Sequence, residues 1–126
     1  MESQDKKLKI LIVEDDKTSQ LLLRIILKDI SREILTAENG IIAVEICRNN
    51  TDIDLIMMDT KMPLMGGHEA TRKIRRFNKH SIIIAQTAHA FESDRKKAIA
   101  VGCDGFLSKP VIRDELMSLI QKYFDK

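Results

Sequence analysis

Apolar residues fall along this chain in two alternating kinds of run. The first kind is short, nearly continuous and rich in β-formers: LKILIV (8–13), EILTA (33–37), DLIMM (54–58), SIIIAQ (81–86) and GFLS (105–108). All five read as strands, and the nearly continuous runs 8–13, 54–58 and 82–85 read as central parallel strands buried on both faces. The second kind has helical spacing. In Thr18 to Ile30, Leu21, Leu22, Ile25, Ile26 and Ile30 recur three and four residues apart, which predicts an amphipathic helix with those residues inward. Ile42, Val44, Ile46 and Cys47 mark a second helix, Ala70, Ile74 and Phe77 a third, and Ala98, Ile99 and Val101 a fourth that Gly102 stops. Leu116, Leu119, Ile120 and Tyr123 mark the last.

The order is therefore βα repeated five times. That alternation predicts an α/β protein with a parallel sheet covered by helices on both faces. Right-handed crossovers leave few topologies. In such sheets ligands sit beyond the carboxyl ends of the strands, so the residues that follow each strand are the ones to inspect for chemistry.

Composition narrows the class without changing that picture. The chain has 126 residues, 44% of them apolar and 32% charged, which suits a single globular domain. With four Phe, one Tyr and no Trp, the core must be aliphatic. A net charge of +2 gives no argument for nucleic-acid or membrane binding, and RKIRR (72–76) reads as a solvated helix face. Cys47 and Cys103 show no metal-ligand spacing and fit a reduced setting. No apolar run approaches the roughly 18 residues that span a bilayer. The polar start MESQDKK has no apolar segment behind it, so residues 1–6 are expected to be a disordered lead-in, with the domain over 7–126.

Four groups of polar residues stand at predicted strand ends. Glu14, Asp15 and Asp16 follow the first strand, Asp59 the third, Thr87 the fourth, and Ser108, Lys109 and Pro110 the fifth. Acids gathered on one edge repel unless a cation sits among them, and hard oxygen ligands of this kind suit Mg²⁺. A carboxylate there can attack a phosphoryl group to form an acyl phosphate, with cations and donors neutralising the equatorial oxygens. Each residue alone has a plainer reading: Asp59 as a turn carboxylate, Asp16 as a helix cap, Phe106 as core, Lys109 as a surface lysine.

Taken together, ILIVEDD, DLIMMDTKMPLMGG, IIAQTAHA and GCDGFLSKP resemble a response-regulator receiver domain, the CheY-like family, over about Lys7 to Tyr123. The resemblance implies a flavodoxin-like (βα)5 doubly wound sandwich with sheet order 2-1-3-4-5, an order the family itself exemplifies. It implies Asp59 as phosphoacceptor, with Thr87 and Lys109 as its catalytic partners. It also implies a metal site of Glu14, Asp15, Asp59 and the Lys61 backbone carbonyl for Mg²⁺, with Mn²⁺ as a substitute. Phe106 occupies the place of an aromatic switch, and the Lys109–Pro110 bond is expected to be cis. The implied partners are a histidine kinase or histidine-containing phosphotransfer protein and a downstream protein that reads the helix 4/strand 5/helix 5 surface. No nucleic acid and no membrane contact is expected. The implied setting is the cytoplasm, either as a stand-alone regulator or as the receiver of a hybrid histidine kinase.

The sequence departs from that pattern in places. Gly66 stands where the family often has Asp, and the Gly66–Gly67 pair still permits a turn of positive φ and an adequate helix start. Gln86 and His89 flank Thr87 where other residues are frequent. Lys61 puts a cation two residues after Asp59, so the Lys61 and His89 side chains are expected to tune phosphoryl lifetime. An aspartate-nucleophile phosphatase of the haloacid dehalogenase class is the alternative. Its second acid belongs where Lys61 stands, which counts against it.

Overall fold

The structure, a computed structural model, describes residues 6–88 and 90–124. The expected lead-in therefore falls almost wholly outside the described residues, and His89 lies outside them too.

Five strands alternate with five helices: β1 Leu8–Val13, α1 Lys17–Leu27, β2 Ser31–Ala37, α2 Gly40–Asn49, β3 Leu55–Asp59, α3 Gly67–Arg75, β4 Ile82–Thr87, α4 Glu92–Val101, β5 Gly105–Ser108 and α5 Arg113–Phe124. A single 3-10 turn, Lys28–Ile30, finishes α1. The sheet order is β2-β1-β3-β4-β5 and every pairing is parallel, as expected.

Because side chains alternate across a strand, β1, β3 and β4 split their apolar residues between two layers. Ile10, Ile12, Leu55, Met57 and Ile84 pack with Leu23, Ile26 and Leu27 of α1 and Leu116 and Ile120 of α5. Leu11, Val13, Ile56, Met58, Ile83 and Ala85 pack with Ala43 and Cys47 of α2, Ala70 and Ile74 of α3, and Ala98 of α4. Each large side chain removed from water in these layers contributes about 1.5–3 kcal/mol. The sheet is thereby held rigidly on both faces, and its carboxyl edge becomes a fixed platform.

The helix phases differ from expectation. The buried side of α1 is Leu23, Ile26 and Leu27, while Leu21 is 58% and Ile25 62% exposed. The run QLLLRIIL is apolar around more than half the helix, so periodicity allowed two phases, and the sheet selected the one built on Leu23. Ile42, Phe77 and Ile99 are likewise exposed. In α2 the smaller Ala43 and Cys47 take the core side. Phe77 lies beyond the end of α3 and carries the Arg48 guanidinium over its ring, 4.9 Å from the centroid. Gly102 ends α4 at φ 118°, where a left-handed conformation favours glycine. The Lys109–Pro110 bond is cis.

Candidate functional site

The parallel sheet brings Glu14, Asp15, Asp59, Thr87 and Lys109 together at one edge. They line a single cleft of about 320 Å³, with Lys61 at its rim. Carboxylate oxygens of Glu14, Asp15 and Asp59 lie within 4.8 Å of one another. The Lys109 Nζ sits 2.7 Å from Glu14 Oε1 and 3.4 Å from Asp59 Oδ2.

Each position has a local cause. After β1 the chain turns into α1, and Asp16 caps that helix by accepting the Ser19 amide at 2.8 Å. The Asp16 amide donates to Glu14 Oε2 at 3.1 Å, and Gln20 Nε2 donates to the Glu14 carbonyl at 2.6 Å. These bonds fold the fully buried Glu14 side chain inward and leave Asp15 exposed. Asp59 ends β3 at 4% exposure and accepts the Lys61 amide on Oδ1 at 3.2 Å. The loop after it closes tightly: the Gly67 amide donates to the Thr60 carbonyl at 3.1 Å. A Cβ at Gly67 would lie 2.1 Å from the Asp59 carbonyl oxygen, so close approach, and not a left-handed φ, is why glycine stands there.

The positive φ that the glycine pair permits falls instead on Leu64, at 69°. The Met65 amide donates to the Pro63 carbonyl at 2.7 Å and the Met65 carbonyl accepts from Gly40 at 2.9 Å. With both neighbours anchored, Leu64 takes the strain. On the far side the Lys109 amide donates to the Thr87 carbonyl at 2.8 Å, tying the end of β5 to β4. Met62 and Met65 are half-buried against the core and Met57 and Met58 fully buried, where flexible thioethers fill gaps in the packing. Phe106 is half-buried and packs on the core side that carries α2, α3 and α4.

The electrostatics follow from burial. Desolvation raises the Asp59 carboxyl above its ordinary value against the opposing Lys109 ammonium. Desolvation likewise raises Glu14, again opposed by Lys109. Burial alone would lower the Lys109 ammonium, but Glu14 and Asp59 outweigh it and the group is held higher than usual. The Lys109–Glu14 approach is charge pairing more than a directed hydrogen bond, since Glu14 Oε1 has no aligned donor among the described residues. Three carboxylates against one ammonium leave two negative charges, and hard oxygen donors in that balance fit a divalent cation such as Mg²⁺.

Two polar residues of the neighbourhood escaped the sequence reading. Gln20 is placed by α1 and carried no signal of its own. Gln86 stood out in IIAQT only as a departure, although one polar residue inside an apolar strand run is itself a signal.

The receiver domain of response regulators, as a sequence family, matches residues 10–121. A rice (Oryza sativa subsp. japonica) protein named two-component response regulator ORR41 is 36% identical over 94% of this chain and 95% of its own. Among solved structures, the Saccharomyces cerevisiae Ssk1 receiver domain, crystallised with the histidine phosphotransfer protein Ypd1, is 32% identical. It covers 95% of this chain and 90% of that one with a TM-score of 0.86. The receiver domain of the Pseudomonas aeruginosa sensor histidine kinase PA1611, with magnesium coordinated in its active-site cleft, is 31% identical. It covers 95% and 99% of the two chains with a TM-score of 0.83. The chain spans no more than 16% of the sensor kinases, hybrid kinases and transcription factor that it also matches. Among the described residues, no helix is long and apolar enough to cross a membrane.

Proposed function

The chain belongs to the response regulator receiver family, a signalling switch of two-component systems, and on that premise we propose how its residues divide the work. Asp59 takes the phosphoryl group. A carboxylate oxygen attacks the phosphorus of a partner's phosphohistidine in line. The new O–P bond forms as the N–P bond breaks, and the imidazole leaves with the electron pair. No general base is needed, because the attacking carboxylate is already ionised when it reacts. The partner is a histidine kinase or a histidine-containing phosphotransfer protein, the latter by analogy with the Ssk1 receiver.

Glu14, Asp15, Asp59 and the Lys61 carbonyl would hold Mg²⁺, or Mn²⁺ in its place, and the bound ion neutralises charge on the transferring group. Lys109 and Thr87 take the remaining phosphoryl oxygens. The added charge and acceptor oxygens draw Thr87 inward, and Phe106 then completes its burial. The surface of α4, β5 and α5 changes, and a downstream protein reads it as a population shift between two states. The site works on the cytoplasmic side, where phosphohistidine donors and Mg²⁺ meet it. Lys61 and His89, each two residues beyond a reacting side chain, tune the lifetime of the phosphoaspartate.

The observation that carries this reading is the convergence of three carboxylates and one lysine on a single cleft. The test is phosphotransfer profiling against purified phosphohistidine donors with Mg²⁺. Label is expected on the wild type and not on Asp59→Asn, and with a faster or slower decay in Lys61→Ala. Label that persists in Asp59→Asn would refute the assignment, and an unchanged decay would remove the tuning role of Lys61.

A further inference from the structure

One polar residue beside the cleft has no part in the chemistry above. Gln86 is fully buried at 0% exposure, yet neither Oε1 nor Nε2 has a hydrogen-bond partner among the described residues. Buried amides are almost always paired, because desolvating one without a partner is unfavourable. A leucine or methionine would fill the same space in β4 without that penalty.

Its location is specific. Gln86 pairs in register with Asp59 on one side and Leu107 on the other and directly precedes Thr87. Its carbonyl accepts the Thr60 amide at 3.1 Å. Strand alternation puts its side chain on the same face as Ile84, toward α1 and α5. On that face it lines a cavity of about 340 Å³ together with Ser19, Val111 and Lys109. The amide thus has room to move and a cation on the shared wall. The Lys109 ammonium has three N–H donors and approaches Glu14 and Asp59 as charge pairs, which leaves an N–H for a further acceptor.

We propose that Gln86 is a positioning residue for Lys109, its amide oxygen accepting an N–H as the ammonium shifts from Glu14 toward the phosphoryl group on Asp59. The inference rests on Asp59 being the acceptor, as above. The resting state then carries an unpaired buried amide that the phosphorylated state pairs. That difference favours the active population without any contact between Gln86 and the phosphoryl group. It also keeps Lys109 from following Glu14, because a donor released from one carboxylate finds an oxygen already waiting.

The experiment compares the wild-type chain, Gln86→Leu and the near-isosteric Gln86→Met, the second guarding against a leucine that packs poorly. Two quantities are read: the melting temperature without ligand, and affinity for beryllofluoride with Mg²⁺, a phosphoryl mimic. Both variants are expected to melt higher than wild type and to bind beryllofluoride about ten-fold more weakly. Repeating the affinity comparison in a Lys109→Met background isolates the coupling. There the Gln86 substitutions are expected to change nothing further. A purely structural role would raise the melting temperature and leave beryllofluoride affinity alone, and that result overturns the proposal. So does a loss of affinity that persists without Lys109. A wild type that takes up no beryllofluoride would instead bring down the Asp59 reading, and this inference with it.

Discussion

Replacing Asp59 by Asn removes one negative charge from the cleft while keeping the shape of the side chain and an oxygen for the Lys61 amide. Without metal, that loss of charge should stabilise the fold. Asp59 lies within 4.8 Å of carboxylate oxygens of both Glu14 and Asp15. At an effective dielectric of about 20, each repulsion at that separation is about 3.5 kcal/mol, and the Asp15 share shrinks because Asp15 faces solvent. The Lys109 ammonium at 3.4 Å offsets roughly 5 kcal/mol of it by the same arithmetic. Relief from burying the Asp59 charge adds to the Asn side. The balance favours Asp59→Asn by roughly 1–3 kcal/mol, or about 3–10 °C in melting temperature for a chain of this size.

Scanning calorimetry in EDTA at low salt measures it. Added Mg²⁺ then stabilises the wild type by mass action, so the gap closes as the ion is titrated in. The pH dependence has a definite sign. Burial raises Asp59 and Glu14, so the folded state holds protons that the unfolded chain has already lost. Stability from these groups is fully present below the unfolded value of about 4 and is lost as pH rises through the folded values. The gap between variant and wild type should be small near pH 4 and widen toward neutrality. An Asp59→Asn protein that melts at or below wild type in EDTA at pH 7 would refute the electrostatic account.

How much of this was legible in the sequence depends on which force decides each feature. Strand positions were readable because a strand buried on both faces must be continuously apolar. LKILIV matches β1 residue for residue, with all six residues buried. The convergence of Glu14, Asp15, Asp59, Thr87 and Lys109 was readable for a related reason: in a parallel sheet every strand delivers its following residue to the same edge. The sheet order came with the family resemblance, since alternation alone leaves more than one order open. Local conformation was not readable where distant anchors set it. Leu64 takes a positive φ because Met65 is pinned by Gly40, a contact between residues far apart in the chain. The phase of α1 escaped for the opposite reason, a surplus of apolar residues that satisfied two registers equally. The unpaired state of Gln86 is likewise invisible in sequence, because it depends on what its neighbours do not offer.

Two further outcomes test the packing around the site. Burial pushes the Cys47 and Cys103 thiols up to about 11, so at pH 8 only about a thousandth of each is thiolate. Iodoacetamide should label the native protein very slowly and the urea-unfolded protein quickly. Labelling of either cysteine at the rate of a free thiol would contradict the burial. The glycine pair before α3 offers a sharper contrast. A Cβ on Gly67 would meet the Asp59 carbonyl oxygen at 2.1 Å and the Thr60 Cα at 2.9 Å, whereas one on Gly66 would meet only the Thr60 carbonyl, at 3.1 Å. The atoms at Gly67 belong to backbone that β3 holds in register, so they cannot give way as a flexible side chain would. Gly67→Ala should therefore lose about 3 kcal/mol in urea unfolding, and Gly66→Ala under about 1 kcal/mol. Because the clash falls on the backbone of Asp59 itself, Gly67→Ala should also weaken beryllofluoride binding while Gly66→Ala leaves it near wild type. Equal losses at the two glycines would show that the loop after Asp59 yields where the geometry says it is fixed.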